Sequence, residues 1–325
     1  MSTAESAPLR LAYIGAGGFT NAYMYPQLHC HSVALAAVCD LVEEKARFAA
    51  RRYGFGAAYT DFRAMLDEVR PDCVICVGGP KVHYEVGSEV LERGFPLYIQ
   101  KSPAPTTEMT RELAAIAARK GVVCHVGFNL RQSDAVRRSR EVMSDGGFGP
   151  VSLAIVRYGL VSGATLRDAV LDQHCHAYDT IRQLGGEVAE MQVRAGTVPG
   201  VRSYAAVLRF ESGAVGSLNF TAAQIPNKEF VYFEVTGSGG QFVTCHDFDL
   251  TVRRADGPDE VRRIGNFGGG ALRELGWMGY IGDLAAFFAA VRGDAPDNSP
   301  IADAIPTMEL CEEAYRQLQE QGAEP

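Results

Sequence analysis

The sequence contains no apolar run approaching the roughly 18 residues of a membrane-spanning helix, so no bilayer span is expected. Its first ten residues, MSTAESAPLR, lack a basic flank followed by an apolar core. They do not read as a secretory leader, and a cytoplasmic protein is expected. Basic residues are not in excess: 31 Lys and Arg face 39 Asp and Glu, a net charge of −8. That balance argues against non-specific association with nucleic acid or an anionic membrane, and it suits small-molecule ligands. The eight cysteines form no dense framework and read as free thiols of a reducing compartment. Cys73-Val-Ile-Cys76 has redox-motif spacing, but its apolar run reads as a buried strand, where residues three apart point to opposite faces. A structural role is expected for both. No Gly-Lys-Ser/Thr element is present, which argues against a P-loop nucleotidase. Internal repeats, low-complexity segments and long linkers are also missing.

What is present is an ordinary globular composition, 47% hydrophobic and 22% charged, in a 325-residue chain long enough for two cores. Short β-rich runs lie at Leu9–Ile14, Val33–Cys39, Cys73–Val77, Pro96–Ile99 and Val122–Val126. Helical patterns at Glu43–Tyr53, Phe62–Val69, Val82–Arg93 and Thr107–Lys120 alternate with them. Near-continuous apolar strands alternating with helices predict an α/β domain over residues 1–126, with a doubly wound parallel sheet. Residues 127–325 read differently. Strands at Val151–Tyr158, Arg202–Phe210, Ala214–Phe220, Phe230–Thr236 and Gln241–Cys245, with Gly/Ser turns between, predict an α+β domain. It has an open, mostly antiparallel sheet with helices on one face, closed by helices at Arg273–Arg292 and Ala304–Gln319.

The first strand runs into Gly15-Ala-Gly-Gly-Phe-Thr20, a dinucleotide fingerprint at its first two glycines. Gly15 allows the tight turn, and Gly17, with Gly18 and Phe19 behind it, lets the backbone approach a pyrophosphate at the next helix N-terminus. Thr20 stands at the third glycine position, where a β-branched residue predicts a looser helix–strand contact. Pro26 should confine or kink the helix that follows. Asp40 closes the second strand, where a carboxylate accepts from the adenosine ribose hydroxyls and repels a 2′-phosphate. NAD is the expected cofactor, ahead of NADP.

A second cluster lies in Asp172-Gln-His-Cys-His-Ala-Tyr-Asp179. On a helix, Asp172, His176, Asp179 and Gln183 form one polar stripe, and His174, Ala177, Ile181 and Leu184 an apolar one. A carboxylate one turn before a histidine can orient the imidazole for general acid–base chemistry. A solvated helix face is the alternative. His174 and His176 point about 200° apart on a helix, so they do not share a metal ion, and no metal is expected.

Three further polar segments follow strands: Gly79-Pro-Lys-Val-His83, Gln100-Lys-Ser-Pro-Ala104 and Gly127-Phe-Asn-Leu-Arg131. Open parallel sheets bind ligands at that end of their strands. With the Asp172–Asp179 helix, this order resembles the Gfo/Idh/MocA oxidoreductases, which include glucose–fructose oxidoreductase and inositol dehydrogenases. Lys101 matches the lysine of the family's Glu-Lys-Pro motif, with Gln100 in place of the glutamate, Ser102 in place of the proline, and Pro103 one residue later. Asp172, His176 and Asp179 match its Asp-x-Gly-x-His-x-x-Asp helix, with His174 at the glycine. Pro80 and His83 match its Pro-x-x-His element, and Asn129 and Arg131 its Asn-x-Arg element.

The resemblance implies a Rossmann first domain and a homodimer or homotetramer formed through the open sheet. It also implies hydride transfer between NAD and a secondary alcohol or ketone of a sugar, cyclitol or sugar derivative. Lys101, Asp172 and His176 are then the catalytic candidates: His176 exchanges the hydroxyl proton, Lys101 stabilises charge on the same oxygen, and Asp172 orients the imidazole or binds a neighbouring hydroxyl. Lysine as the base is the alternative division. Pro80, His83 and Lys101 join the glycine turn and Asp40 as cofactor contacts. Asn129, Arg131 and Tyr158 are candidate substrate contacts, although an N-cap asparagine and a salt-bridged arginine fit the same residues. Trp277 and Tyr280 are further candidates to line the pocket, and Asp179 reads as half of a structural ion pair. Two other outcomes stay open at this stage. One is transient oxidation by tightly bound NAD, leading to epimerisation, elimination or glycoside cleavage; the other is a non-catalytic NAD-binding regulator.

Overall fold

The computed structural model describes residues 7–159, 165–223, 231–264 and 270–323. The chain forms two compact units, Met1–Gly127 with Tyr280–Ala304, and Phe128–Gly279 with Ile305–Pro325. Tyr280–Ala304, near the end of the chain, goes with the first unit. The reason is apolar packing. The helix Tyr280–Arg292 buries Leu284, Phe287 and Phe288, and Phe287 meets the rings of Tyr98 and His125.

The first unit is built on a six-stranded parallel sheet. Its strands are β1 (Leu9–Ile14), β2 (Val33–Cys39), β3 (Ala57–Tyr59), β4 (Cys73–Cys76), β5 (Leu97–Gln100) and β6 (Cys124–Gly127), in the order β3-β2-β1-β4-β5-β6. The order reverses between β1 and β4, the topological switch point where such sheets bind ligands beyond their carboxyl ends. All residues of β4, β5 and β6 are buried, as expected of strands covered on both faces. The linking helices are α1 (Glu43–Tyr53), α2 (Phe62–Val69), α3 (Pro80–Glu92) and α4 (Thr107–Lys120). α1 shows why the sequence reads so clearly here: Glu43 and Glu44 open it, Arg51 and Arg52 close it, and Gly54 ends it in the left-handed region at φ 83°. The eight cysteines are free thiols, and burial raises those of Cys73 and Cys76 to about 12.

The late segment is also tied to this sheet by charge. His125 of β6 is fully buried, with Nδ1 2.6 Å from Asp297 Oδ1 and Nε2 3.2 Å from Asp283 Oδ1. Burial works to lower the imidazolium pKa, but Asp283 and Asp297 outweigh it and raise it to about 9. A raised histidine pKa stabilises the folded state fully below its ordinary value of 6.5, and that contribution is lost as pH climbs through about 9. The melting temperature should therefore fall across that window, and should fall less in His125→Gln. Equal pH slopes for the two proteins by calorimetry would contradict this.

The second unit carries α5 (Asp134–Met143), β7 (Val151–Gly159) and a helical stretch made of α6 (Leu166–Asp168), a π turn at Ala169–Gln173 and α7 (Cys175–Gly185). Strands β8 (Val188–Ala195), β9 (Ser203–Phe210), β10 (Val215–Thr221), β11 (Val231–Gly237), β12 (Phe242–His246), β13 (Asp249–Arg253) and β14 (Glu260–Arg262) follow. The eight-stranded sheet has the order β14-β13-β12-β11-β7-β10-β9-β8, antiparallel at every junction except β7 with β10. Burial alternates along β9 and β11, and α7 packs against β7 and β10. The edge strand β8 is covered by side chains: Gln317 of the helix Ile301–Glu320 and Gln321 just past its end hydrogen-bond the backbone of Met191, Val193 and Ala195.

Three sequence expectations change. The single helix expected over Arg273–Arg292 is two, Gly270–Trp277 and Tyr280–Arg292, because Gly279 adopts φ 87° where a Cβ would lie 2.0 Å from Asn129 O. The helix after the glycine turn is a π turn, Thr20–Met24, followed by a 3-10 helix, Tyr25–Cys30, with Pro26 at its start. β3, β8, β13 and β14 are strands beyond those expected. Phe230, the expected start of one strand, and residues 1–6 lie outside the described residues. Among the described residues no helix is long and apolar enough to cross a membrane.

Candidate active site

The glycine turn between β1 and the π turn is shaped by contact on one side and space on the other. Gly15 adopts φ 103°, and a Cβ there would lie 2.1 Å from Val77 O of the segment after β4. Only glycine permits that approach. A Cβ on Gly17 or Gly18 would meet nothing within 4 Å, so the backbone there is open to a close ligand. Asn21 Nδ2 donates to the carbonyls of Ala16 and Gly17, and the Tyr25 hydroxyl donates to Gly15 O at 2.9 Å. These two clamps were not anticipated; an asparagine one helical turn after the glycines was the available signal. Thr20, at the third position, is 1% exposed. Phe19 is 39% exposed and its ring stacks on Tyr23 at 5.0 Å, with Tyr280 against both.

Asp40 joins the turn. Its Oδ2 accepts from Ala16 N–H at 2.7 Å and its Oδ1 from Val42 N–H at 2.9 Å. Each oxygen keeps a further acceptor position, as two ribose hydroxyls require. The open turn and the fixed carboxylate together fit NAD.

Beyond β4, Pro80 occupies the first turn of α3, a position that needs no N–H. His83 differs from the expected cofactor contact. It is fully buried, its Nε2 accepts from Gly78 N–H at 3.0 Å, and its Nδ1 lies 2.8 Å from Ser102 O. This neutral, Nδ1-protonated ring staples the loop after β4 to the loop after β5, so its ring nitrogens face the chain itself. Lys101 is the first residue past β5 and is half-buried, its N–H donating to Gln100 Oε1 at 3.1 Å.

In the second unit the Asp172–Asp179 segment departs from a continuous α-helix. His174 N–H donates to Ala169 O, a five-residue step, so Asp172 lies in the π turn while His176 begins the α-helical register. Such turns re-aim side chains relative to an α-helix. Every residue from His174 to Arg182 is buried, so this stripe is not a solvated face. His176 is 8% exposed, with Phe128 edge-on at 6.2 Å and the Tyr158 ring at 6.3 Å. Asp172 is half-buried. His174 has the packing role its side of the helix predicted: its Nδ1 is 2.6 Å from the Tyr204 hydroxyl and its ring stacks on Phe220 at 4.2 Å. Burial, then Arg202, lowers its pKa to about 3, so the ring is neutral.

Arg131 corrects a sequence expectation. It is 2% exposed and grips Asp179 with two nitrogens, Nε to Oδ2 at 2.8 Å and NH2 to Oδ1, while lying 5.1 Å over the Phe128 ring. A guanidinium committed to a buried carboxylate is a structural bolt on α7, not an open substrate contact. Asn129, 2% exposed, donates to Met278 O at 2.6 Å and so holds the Gly279 break; its Oδ1 accepts no hydrogen bond among the described residues. Arg273 stacks on Trp277 at 4.8 Å.

The Gfo/Idh/MocA oxidoreductase family, described as having an NAD-binding Rossmann fold, matches residues 9–128, and the family's C-terminal domain matches residues 136–243. D-Glucoside 3-dehydrogenase of Escherichia coli is 32% identical over 158 residues, 48% of this chain and 45% of that enzyme. The match thus spans less than half of that relative. Levoglucosan dehydrogenase of Pseudarthrobacter phenanthrenivorans is 24% identical over 70% of this chain and 69% of that enzyme. The crystal structure of a dehydrogenase from Chromobacterium violaceum has the same fold, with a TM-score of 0.88 at 24% identity over 98% of this chain and 97% of that one. A glycine turn tied to the Asp40 carboxylate on a six-stranded switch-point sheet, with family matches over both the Rossmann domain and the C-terminal domain, places this chain in the NAD-binding Gfo/Idh/MocA oxidoreductases.

Proposed function

We propose that this protein is an NAD-dependent dehydrogenase that moves a hydride between the nicotinamide and a secondary alcohol of a pyranose, cyclitol or related sugar derivative. The observation that carries this reading is the Ala16–Asp40 hydrogen bond, which joins the glycine turn to the proposed ribose carboxylate at the carboxyl end of the strands, the end where Lys101 also lies. The ring-hydroxyl substrate class draws on the glucoside and levoglucosan dehydrogenases among its relatives.

Bound NAD supplies the hydride acceptor. Asp40 would accept from the ribose hydroxyls, and the open backbone at Gly17 and Gly18 would receive the pyrophosphate. His176 takes the proton from the reacting hydroxyl, and Lys101 donates a hydrogen bond to the same oxygen as its charge develops. Asp172 orients the imidazole or holds the neighbouring hydroxyl. Tyr158, packed beside His176, and Asn129, whose buried Oδ1 accepts no hydrogen bond among the described residues, are the further substrate contacts in this reading. The reading includes self-association through the open sheet face, where Val207 and Val215 are exposed, and work in a reducing cytoplasm.

The test is a screen of glucosides, levoglucosan and inositols for NADH appearance at 340 nm, with NADP run beside NAD. At least one ring alcohol should be oxidised with NAD, and NADP should perform at least ~10-fold worse because Asp40 repels its 2′-phosphate. Equal use of both cofactors would remove the role given to Asp40. NAD that stays bound through purification while no net NADH forms would point to transient oxidation instead.

A further inference from the structure

Behind Lys101 lies a buried chain of hydrogen bonds outside the groups that touch cofactor or substrate. Gln100, Tyr98, Asp283 and His125 are each at most 4% exposed. The Tyr98 hydroxyl is 2.7 Å from Asp283 Oδ2, and a carboxylate oxygen only accepts, so the single phenolic proton goes to Asp283. Toward Gln100 the tyrosine oxygen therefore shows only lone pairs, and Gln100 Nε2 donates to it at 3.1 Å, with Met24 Sδ as a further contact. That fixes the amide's orientation and turns Oε1 to the Lys101 N–H. On its far side Asp283 faces His125, which in turn faces Asp297. Across the sheet Gly127 makes room, because a Cβ there would lie 2.3 Å from the Tyr98 hydroxyl.

We propose that Tyr98, Asp283 and His125 are positioning residues that dictate an uncharged donor at position 100 and through it hold the backbone of Lys101 in place. A glutamate at 100 would set acceptor against acceptor at the Tyr98 oxygen and add a third carboxylate to a site that already buries Asp283 beside Asp297. The glutamine that replaces the family's glutamate thus follows from Asp283, which already takes the tyrosine proton. The functional part of this proposal rests on the reading of Lys101 as the group at the reacting oxygen.

The experiment compares Gln100→Glu, Tyr98→Phe and Gln100→Glu/Asp283→Asn with the wild type in the full-length protein. Its readouts are turnover of a ring alcohol found in the screen and the carbon-13 NMR signal of reductively methylated Lys101, assigned by its loss in Lys101→Ala. Gln100→Glu should shift that signal and lower kcat at least ~10-fold with a smaller change in KM for NAD. Tyr98→Phe, which changes neither charge nor shape, should move both in the same direction. The double variant should recover much of the loss, because an amide at 283 frees the tyrosine proton to face position 100. Unchanged signal and turnover in Gln100→Glu and Tyr98→Phe, or a double variant no better than Gln100→Glu, would overturn the proposal. If Gln100→Glu does not fold, Tyr98→Phe decides alone. Should Lys101→Ala keep full turnover, the active-site reading fails, and the Lys101 signal still scores the positioning chain.

Discussion

Lys101→Ala is expected to lower kcat by ~10²–10³-fold, the usual cost of deleting one preorganised donor at a developing oxyanion. NAD affinity should fall far less, since the proposed cofactor contacts, the glycine turn and Asp40, lie on other elements. His176→Asn should cost a similar or larger factor, within the ~10²–10⁴-fold range of a positioned acid–base group. In the proposed mechanism both groups serve one oxygen in one step, so the two losses should not add in the double variant. Steady-state kinetics with NAD and a ring alcohol, beside NADH binding by fluorescence, provides the measurement. Turnover that survives both substitutions would place the chemistry elsewhere in the fold.

The second large effect concerns stability. Arg131→Met keeps most of the side chain's volume but leaves Asp179 as a buried carboxylate without its bidentate partner. Removing one member of a buried ion pair costs ~3–5 kcal/mol, and urea unfolding should show a loss of that size. Thr307 at 3.3 Å and Arg182 at 4.0 Å remain beside Asp179, which favours the lower end. Arg131→Met/Asp179→Leu should recover part of the loss, since two apolar groups leave no unpaired charge. A contrary result is easy to recognise: Arg131→Met with wild-type stability and only a raised KM for the sugar would make Arg131 a substrate contact after all.

The parts legible in the sequence are those whose signals are local. β1, β2, α1 and α4 have the boundaries that apolar runs, first-turn acids and terminal glycines mark, and α2 begins behind its Asp61 cap. β3 is only Ala-Ala-Tyr, and β14 is Glu-Val-Arg, so neither contains enough apolar residues to announce a strand. The π turn at Ala169–Gln173 leaves no mark in composition, so spacing alone placed Asp172 and His176 on one regular helix. Buried partners were the least legible. Nothing near Arg131 in the chain announces Asp179, and nothing near His83 announces Ser102, because each pair joins separate elements that only the folded chain brings together. Gln100 shows the same limit from the other direction: it is a departure from a motif in the sequence and a matched donor in the fold.

The lock on His125 also has a consequence for how the protein is made. Asp283 and Asp297 are translated only after the whole of Phe128–Gly279, so the six strands leave the ribosome before either carboxylate exists. Until then the imidazole cannot hold its proton in an apolar interior, and Tyr98 has no acceptor for its own. The buried partners of the fifth and sixth strands thus come from a segment near the end of the message. A chain interrupted before residue 283 would therefore carry the glycine turn and Asp40 yet lack the means to settle the strand that bears Lys101.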